Sequence, residues 1–475
     1  MASLRIGTRD AGRCCVNNAH LSRWTSCLPK TKNTPSALHR YCRLGDESLR
    51  SPQVSDTHEK KDSFSMKQLC RLENPIQYYA WGSHESIARL QGRVVPSESP
   101  EAELWMGAHP KAPSWVAMGA EKHSLLALMQ YESTAILGTQ VDQRFAGRLP
   151  FLLKVLAASK PLSIQAHPNL EQARAGFARE NALGIPFDAW DRSYRDDNHK
   201  PELICAITPF WALRGFRPYH EILGWIEHLR LDSLHPESKK FAQQPNETGL
   251  RTFYSALLTL LPERKAQLLT EARRGAQRLC DQTDDSTQES ARIGRWILQL
   301  HDHYPDDIGI LSPALLHTIC LQPGQAMYLP DGELHAYLEG TGIEIMANSD
   351  NVLRGGLTNK HIDIPELLRV LRFAPTRIEL LTPQPNTETP EAFYSTPNEE
   401  FSLSVLHLLP SLRYTSPSLR SAEIWLCLDG SAEIKALAQP EIRLTQGDAI
   451  LVPADAPPYQ ITGHATLYKA TTPLL

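Results

Sequence analysis

The stretch Gly324-Gln325-Ala326-Met327-Tyr328-Leu329-Pro330-Asp331-Gly332-Glu333-Leu334-His335 constrains this chain more than any other. Gly324 and Gly332 supply the backbone freedom that tight turns demand, Pro330 fixes a further torsion, and the apolar run from Ala326 to Leu329 has the length of a strand. A strand held between two such turns delivers His335 at its end, aimed into the mouth of a small β-barrel. The pattern predicts a metal ligand.

A second cluster lies upstream. From Pro161 to Asn169 the polar residues Ser163, Gln165 and His167 alternate with Leu162, Ile164 and Ala166, the period of a strand with one polar face. The run from Leu149 to Leu156 before it is buried-strand material, so the polar face is read as the lining of a cavity. A third element, Tyr194 to Glu202, places acids, bases and an imidazole ahead of the apolar run from Leu203 to Ile207, with Glu202 at a strand start. Gln165, His167, Glu202 and His335 together offer two nitrogens and two oxygens, a set that suits zinc, with manganese, iron or cobalt as substitutes. One carboxylate and a neutral amide leave such an ion positively charged and a good Lewis acid.

The spacing Gly, five residues, Pro, one residue, Gly, two residues, His resembles the second metal-binding motif of the cupin superfamily. The chain as a whole is similar to the type I phosphomannose isomerases. The resemblance is carried by Asn74 to Ser83, Ala102 to Pro110, the Gln165/His167 strand, Asn198 to Glu202 and Glu344 to Lys360, in the family's order over most of residues 66 to 372. It implies an aldose–ketose isomerase that interconverts mannose 6-phosphate and fructose 6-phosphate, with one zinc ion per chain on Gln165, His167, Glu202 and His335. It also carries Arg354 and Lys360 into the active site. Asp350 is a further substrate-binding candidate, and Trp81, more often core or pocket wall than catalytic, is another as a floor for the sugar. The chain departs from the family where Asn359 stands in place of a common proline. Glu171 follows His167 at the spacing a generic cupin uses for its carboxylate ligand, but the family match favours Glu202.

An aldose–ketose isomerisation moves a proton between C1 and C2 through an enediol, which needs a base, an electrophile for the oxygens and an anchor for the phosphate dianion. Glu344, on the alternating segment after His335, and Lys200, beside Glu202, are rival bases. Arg354 offers a planar fork for phosphate or an enediolate oxygen, Gly355 and Gly356 let the backbone approach a ligand, and Lys360 adds a point charge. Ser163 and Lys154 are candidates for binding sugar hydroxyls or phosphate. Two other readings are a metal-dependent cupin oxygenase and a non-catalytic sugar-phosphate binding protein.

The expected fold is mainly β: two cupin-type double-stranded β-helix (jelly-roll) barrels with an inserted α-helical domain. Residues 66–215 and 317–375 form the catalytic barrel in this reading. Residues 216–316, where leucines and isoleucines recur every three or four positions, form the helical insertion. After the linker from Thr382 to Pro390, residues 376–475 form a metal-free barrel in which Gly447 to Pro453 repeats the Gly-to-Pro spacing but Pro457 takes the histidine's place. Residues 1–65, rich in Arg and Lys with Asp10 the only acid before Asp46, read as a disordered or targeting extension, or as sequence upstream of a start at Met66. With 475 residues and a net charge of -4, there is no bulk basic patch for nucleic acid. No apolar run reaches the roughly 18 residues of a membrane helix. The 9 cysteines include no CxxC pair, which suits reduced thiols in the cytoplasm. The expected partner is a small sugar phosphate, and the expected state is a monomer.

Overall fold

The strand His335–Ala347 organises the middle of the molecule. Its first half pairs antiparallel with Phe210–Phe216 and, at His335, with Gln165 of the strand Ile164–Ala166. Its second half pairs with Phe151–Ala158 and with Glu202–Ala206. Between the halves the register slips at Tyr337/Glu339, and Gly340 adopts φ 130, where an added Cβ would lie 2.7 Å from the Pro209 carbonyl oxygen. Such a bulge inverts the alternation of side chains. Before it Ala336 and Leu338 enter one apolar core, and beyond it Ile343 and Ile345 enter another. Odd-numbered His335 and even-numbered Glu344 are thereby left on the faces that do not enter these cores.

In this computed structural model the described residues are 66–119, 121–281 and 288–474, so the extension 1–65 lies outside them. Helices dominate from Tyr219 to Leu315: Tyr219–His228, His235–Gln243, Glu247–Leu258, Pro262–Asp281 and Gln288–His303 are the longest. Their apolar stripes, including Ile222, Ile226, Leu250, Leu268 and Ile297, share a core with Ile164, Ala166, Leu213, Ala336 and Leu353. Helices thus cover the outer face of the strands that carry Gln165 and His335. Each fully buried leucine or isoleucine there contributes about 1.5–3 kcal/mol.

A second sheet is built from both ends of the described chain. Cys70–Glu73 pairs with Ala449–Val452 on one side and Trp115–Met118 on the other. Gly324 and Gly447, with φ 85 and 86, precede the matching strands Ala326–Leu329 and Ala449–Val452. The repeated Gly-to-Pro spacing therefore corresponds to a repeated turn and strand.

The architecture corrects the expectation of a mainly β pair of cupin barrels. The fold is mixed α/β, with about 30% helix and 31% strand. The strand pairings form an 11-stranded and a 10-stranded sheet, and among the described residues neither closes on itself. One path ends at Leu316–Leu321 and Ile76–Gln77, the other at Gln384–Pro385 and Glu121–Ser124. A glycine-bounded strand motif fixes a local turn, whereas closure requires the outermost strands to find each other, which no local spacing encodes. Helices outside the 216–316 region add to the difference. Leu170–Ala182, for instance, begins with a reciprocal capping box between Asn169 and Gln172. No helix among the described residues is long and apolar enough to cross a membrane.

Candidate metal centre and active site

His167, Glu202 and His335, all buried, bring one ligand atom each to within 4.8 Å of one another. Glu202 lies between the imidazoles: His167 Nε2 is 3.4 Å from Oε1 and His335 Nε2 is 3.5 Å from Oε2. These distances are long for charge-assisted hydrogen bonds. They match the separation of about 3.4 Å between two donors on one tetrahedral ion with ligand bonds near 2.0–2.1 Å. Each ring also has its other nitrogen committed. His167 Nδ1 lies 2.7 Å from the Asn351 carbonyl and His335 Nδ1 3.0 Å from the Glu333 carbonyl, so each Nδ1–H donates and each Nε2 presents its lone pair. His167 Nε2 is buried with no hydrogen-bond partner. Burial pulls the His167 imidazole down to about 4, so the ring is neutral at physiological pH, as a ligand must be. This trio fits a divalent ion with nitrogen and oxygen donors.

Sheet register places the next groups. Gln165 lies directly across from both His335 and Arg354. Lys200 Nζ is 3.0 Å from Glu202 Oε1. Burial opposes ionisation of Glu202, but Lys200 and His167 hold its carboxyl well below the usual range. Lys154 and Glu344 are cross-strand neighbours, with Nζ 2.9 Å from Oε2, and both are buried. Burial disfavours the Lys154 charge, yet Glu103 and Glu344 outweigh it and keep the ammonium ionised. The other sequence candidates are more dispersed. Asp350 is engaged by Lys111 Nζ at 2.9 Å and approached by His109 Nε2 at 3.6 Å. Ser163 is half-buried one residue before its strand, and Lys360 is exposed on its loop. Trp81 packs at the edge of the cluster of Leu156, Ala158 and Tyr337, with Tyr79 stacked at 5.6 Å. Glu171 is exposed in the first turn of its helix.

Three contributors escaped sequence reasoning. Asn351, fully buried, donates to the carbonyls of Asp196 and Asn198 at 2.8 Å, accepts from Arg195 N at 2.7 Å, and orients His167 through its own carbonyl. Glu103 lies 3.5 Å from Lys154 and accepts from Trp105 Nε1 at 2.8 Å. Tyr337 is buried, and its phenol is kept protonated by burial and then by Glu344 and Glu202. Glu103 left a signal, as the acid of an otherwise apolar strand inside a matched segment, and Asn351 lies in the matched segment from Glu344 to Lys360.

His199 ties the site to the C-terminal part of the chain. Its Nδ1 faces Asp331 at 3.4 Å and its Nε2 faces Glu400 at 2.6 Å. Burial opposes its charge, but the two carboxylates hold the imidazolium up to about 9. Its stabilising effect is therefore whole below the unfolded value of 6.5 and is lost as pH rises through about 9. Denaturation curves should show wild type losing up to ~3 kcal/mol more than His199→Gln across that window. Parallel curves for the two proteins would remove the charged clasp.

The profile of the phosphomannose isomerase type I catalytic domain matches residues 69–219. The chain is 40% identical over 402 residues to the mannose-6-phosphate isomerase of Escherichia coli (strain K12), covering 84% of this chain and 98% of that protein. It is 33% identical over 403 residues to the Homo sapiens mannose-6-phosphate isomerase, covering 81% and 93%. A crystal structure of a zinc-bound mannose 6-phosphate isomerase, 38% identical, superposes with a TM-score of 0.76 over 86% of this chain and 100% of that one. On both sequence and structure, this chain belongs to the type I phosphomannose isomerase family.

Proposed function

We propose that this chain interconverts mannose 6-phosphate and fructose 6-phosphate through an enediol, with one zinc ion held by Gln165, His167, Glu202 and His335. The observation that carries the reading is the meeting of His167, Glu202 and His335, with both imidazoles fixed in the tautomer that presents Nε2. Bound zinc supplies Lewis-acid polarisation of the sugar oxygens. Lys200 and Glu344 are the groups assigned to move the proton between C1 and C2, and Lys154 holds the Glu344 carboxylate in place. Arg354 and Lys360 supply positive charge for the phosphate or for the enediolate oxygen, and Ser163, Asp350 and Trp81 are assigned to the sugar's remaining contacts. The 216–316 helices serve as a wall behind the metal strands. The enzyme is taken to act as a cytoplasmic monomer, and the unpaired thiols of Cys70, Cys205, Cys280, Cys320 and Cys427 suit a reducing compartment.

A coupled assay on the purified protein tests this. Chelation should lower turnover of mannose 6-phosphate at least about a hundredfold, and zinc should restore it with or without oxygen. Turnover that survives complete metal removal would overturn the metal role. No turnover in the zinc-loaded protein would leave a sugar-phosphate binding protein.

A further inference from the structure

Arg195 stands on the segment that Asn351 anchors, through the 2.7 Å bond from its own amide. Its guanidinium donates to the backbone carbonyls of Phe187 and, at 3.3 Å, Ala189. These acceptors orient the side chain without neutralising it. The loop that Arg195 braces reaches the Lys360 loop, since the ring of Trp190, next to Ala189, meets His361 edge-on at 4.8 Å. Arg195 accordingly disfavours the charge of Arg354 and of Lys360, second to burial at Arg354 and after burial and Arg354 at Lys360. Among the described residues neither Arg354 nor Lys360 has an ion pair, and the nearby Lys111 is matched by Asp350. Three cations with no carboxylate partner among the described residues, two of them partly buried and Lys360 at the solvent edge, make a positive locus whose mutual repulsion a bound anion relieves. The chain's net charge of -4 makes this a local device and not part of a general basic surface.

We propose that Arg195 is a second phosphate-binding arginine of this site, joining Arg354 and Lys360 to hold the dianionic phosphomonoester end of the sugar. The inference rests on the isomerase reading for its substrate. Its charge logic applies to any phosphate monoester. A planar fork held by two carbonyls keeps free N–H groups for phosphate oxygens, and its orientation is set before the ligand arrives.

The test uses zinc-loaded protein and two variants. Arg195→Ala removes the side chain, whereas Arg195→Gln keeps an amide donor for the Phe187 and Ala189 carbonyls and removes only the charge. Both should raise KM for mannose 6-phosphate by roughly tenfold to a hundredfold, with a smaller effect on kcat. Both should also weaken binding of inorganic phosphate, measured by calorimetry, by a similar factor, with zinc content and thermal midpoint kept. Arg195→Gln with wild-type KM and wild-type phosphate affinity would overturn the proposal and leave Arg195 a loop brace. Phosphate binding needs no turnover, so the two readings fail separately. Arg195-dependent phosphate binding in a protein without isomerase activity would uphold the anion site and sink the isomerase reading.

Discussion

His335→Ala is expected to strip zinc from the protein and lower turnover by about a thousandfold, equivalent to ~4 kcal/mol of the several that a Lewis acid supplies. The imidazole is one of three buried side chains whose donor atoms converge among the described residues, and its Nδ1 bond to the Glu333 carbonyl gives it a single orientation. Removing it leaves Glu202 with Lys200 and His167 as partners, so the carboxylate stays ionised but the cage opens on one side. Glu202→Gln should behave alike, since a neutral amide between two imidazoles offers the ion no charge. Elemental analysis of metal per chain beside the coupled assay checks both variants. A full complement of zinc in Glu202→Gln would move the carboxylate role elsewhere, with Glu171 the first alternative.

The second large effect belongs to stability. In the C-terminal sheet Lys469 Nζ lies 2.5 Å from Glu391 Oε1 and 3.6 Å from Glu423 Oε1, and all three side chains are almost fully buried. Tyr459 donates to Glu423 at 2.6 Å, and the Lys469 ammonium lies over the Trp425 and Tyr414 rings at 5.2 and 5.6 Å. Lys469→Met keeps the volume but leaves Glu391 buried without a cation and Glu423 with only Arg420, at 3.9 Å. The expected loss is about 3–5 kcal/mol in denaturant unfolding, because breaking a buried ion pair from one side strands the other charge. Activity of the remaining folded protein should be near wild type, since this cluster is built from the C-terminal sheet and touches none of the metal residues. A loss under about 1 kcal/mol would mean that the carboxylates are neutralised by protonation at little cost.

The parts of this protein legible in the sequence are those that short-range rules control. Glycines at 324 and 332, at φ 85 and 75, bound a strand and a turn that lead to His335, as the spacing indicates. The alternation around Gln165 gives a three-residue strand, Ile164–Ala166, with Ser163 and His167 just outside its ends, and the three-to-four spacing after Phe216 gives helices. Turn torsions, two-residue alternation and helical repeats each involve neighbours within a few positions. The resemblance supplied the rest of the site, by matching segments too far apart for any periodicity to connect.

Tertiary structure alone decided which faces meet. Strict alternation along His335–Ala347 would send His335 and Glu344 to opposite sides, and the bulge after Tyr337 with Gly340 behind it is what reverses this. Asn351 fixes the His167 tautomer from 184 residues away, and Cys70–Glu73 joins a strand near the C-terminus. Whether the sheets closed was likewise a matter of pairing between distant strands, and among the described residues they stay open. The physical reason is common to all of these: a residue's own torsional and burial preferences are written at its position, whereas its partner is selected by the collective packing of strands and helices that the chain brings together only on folding.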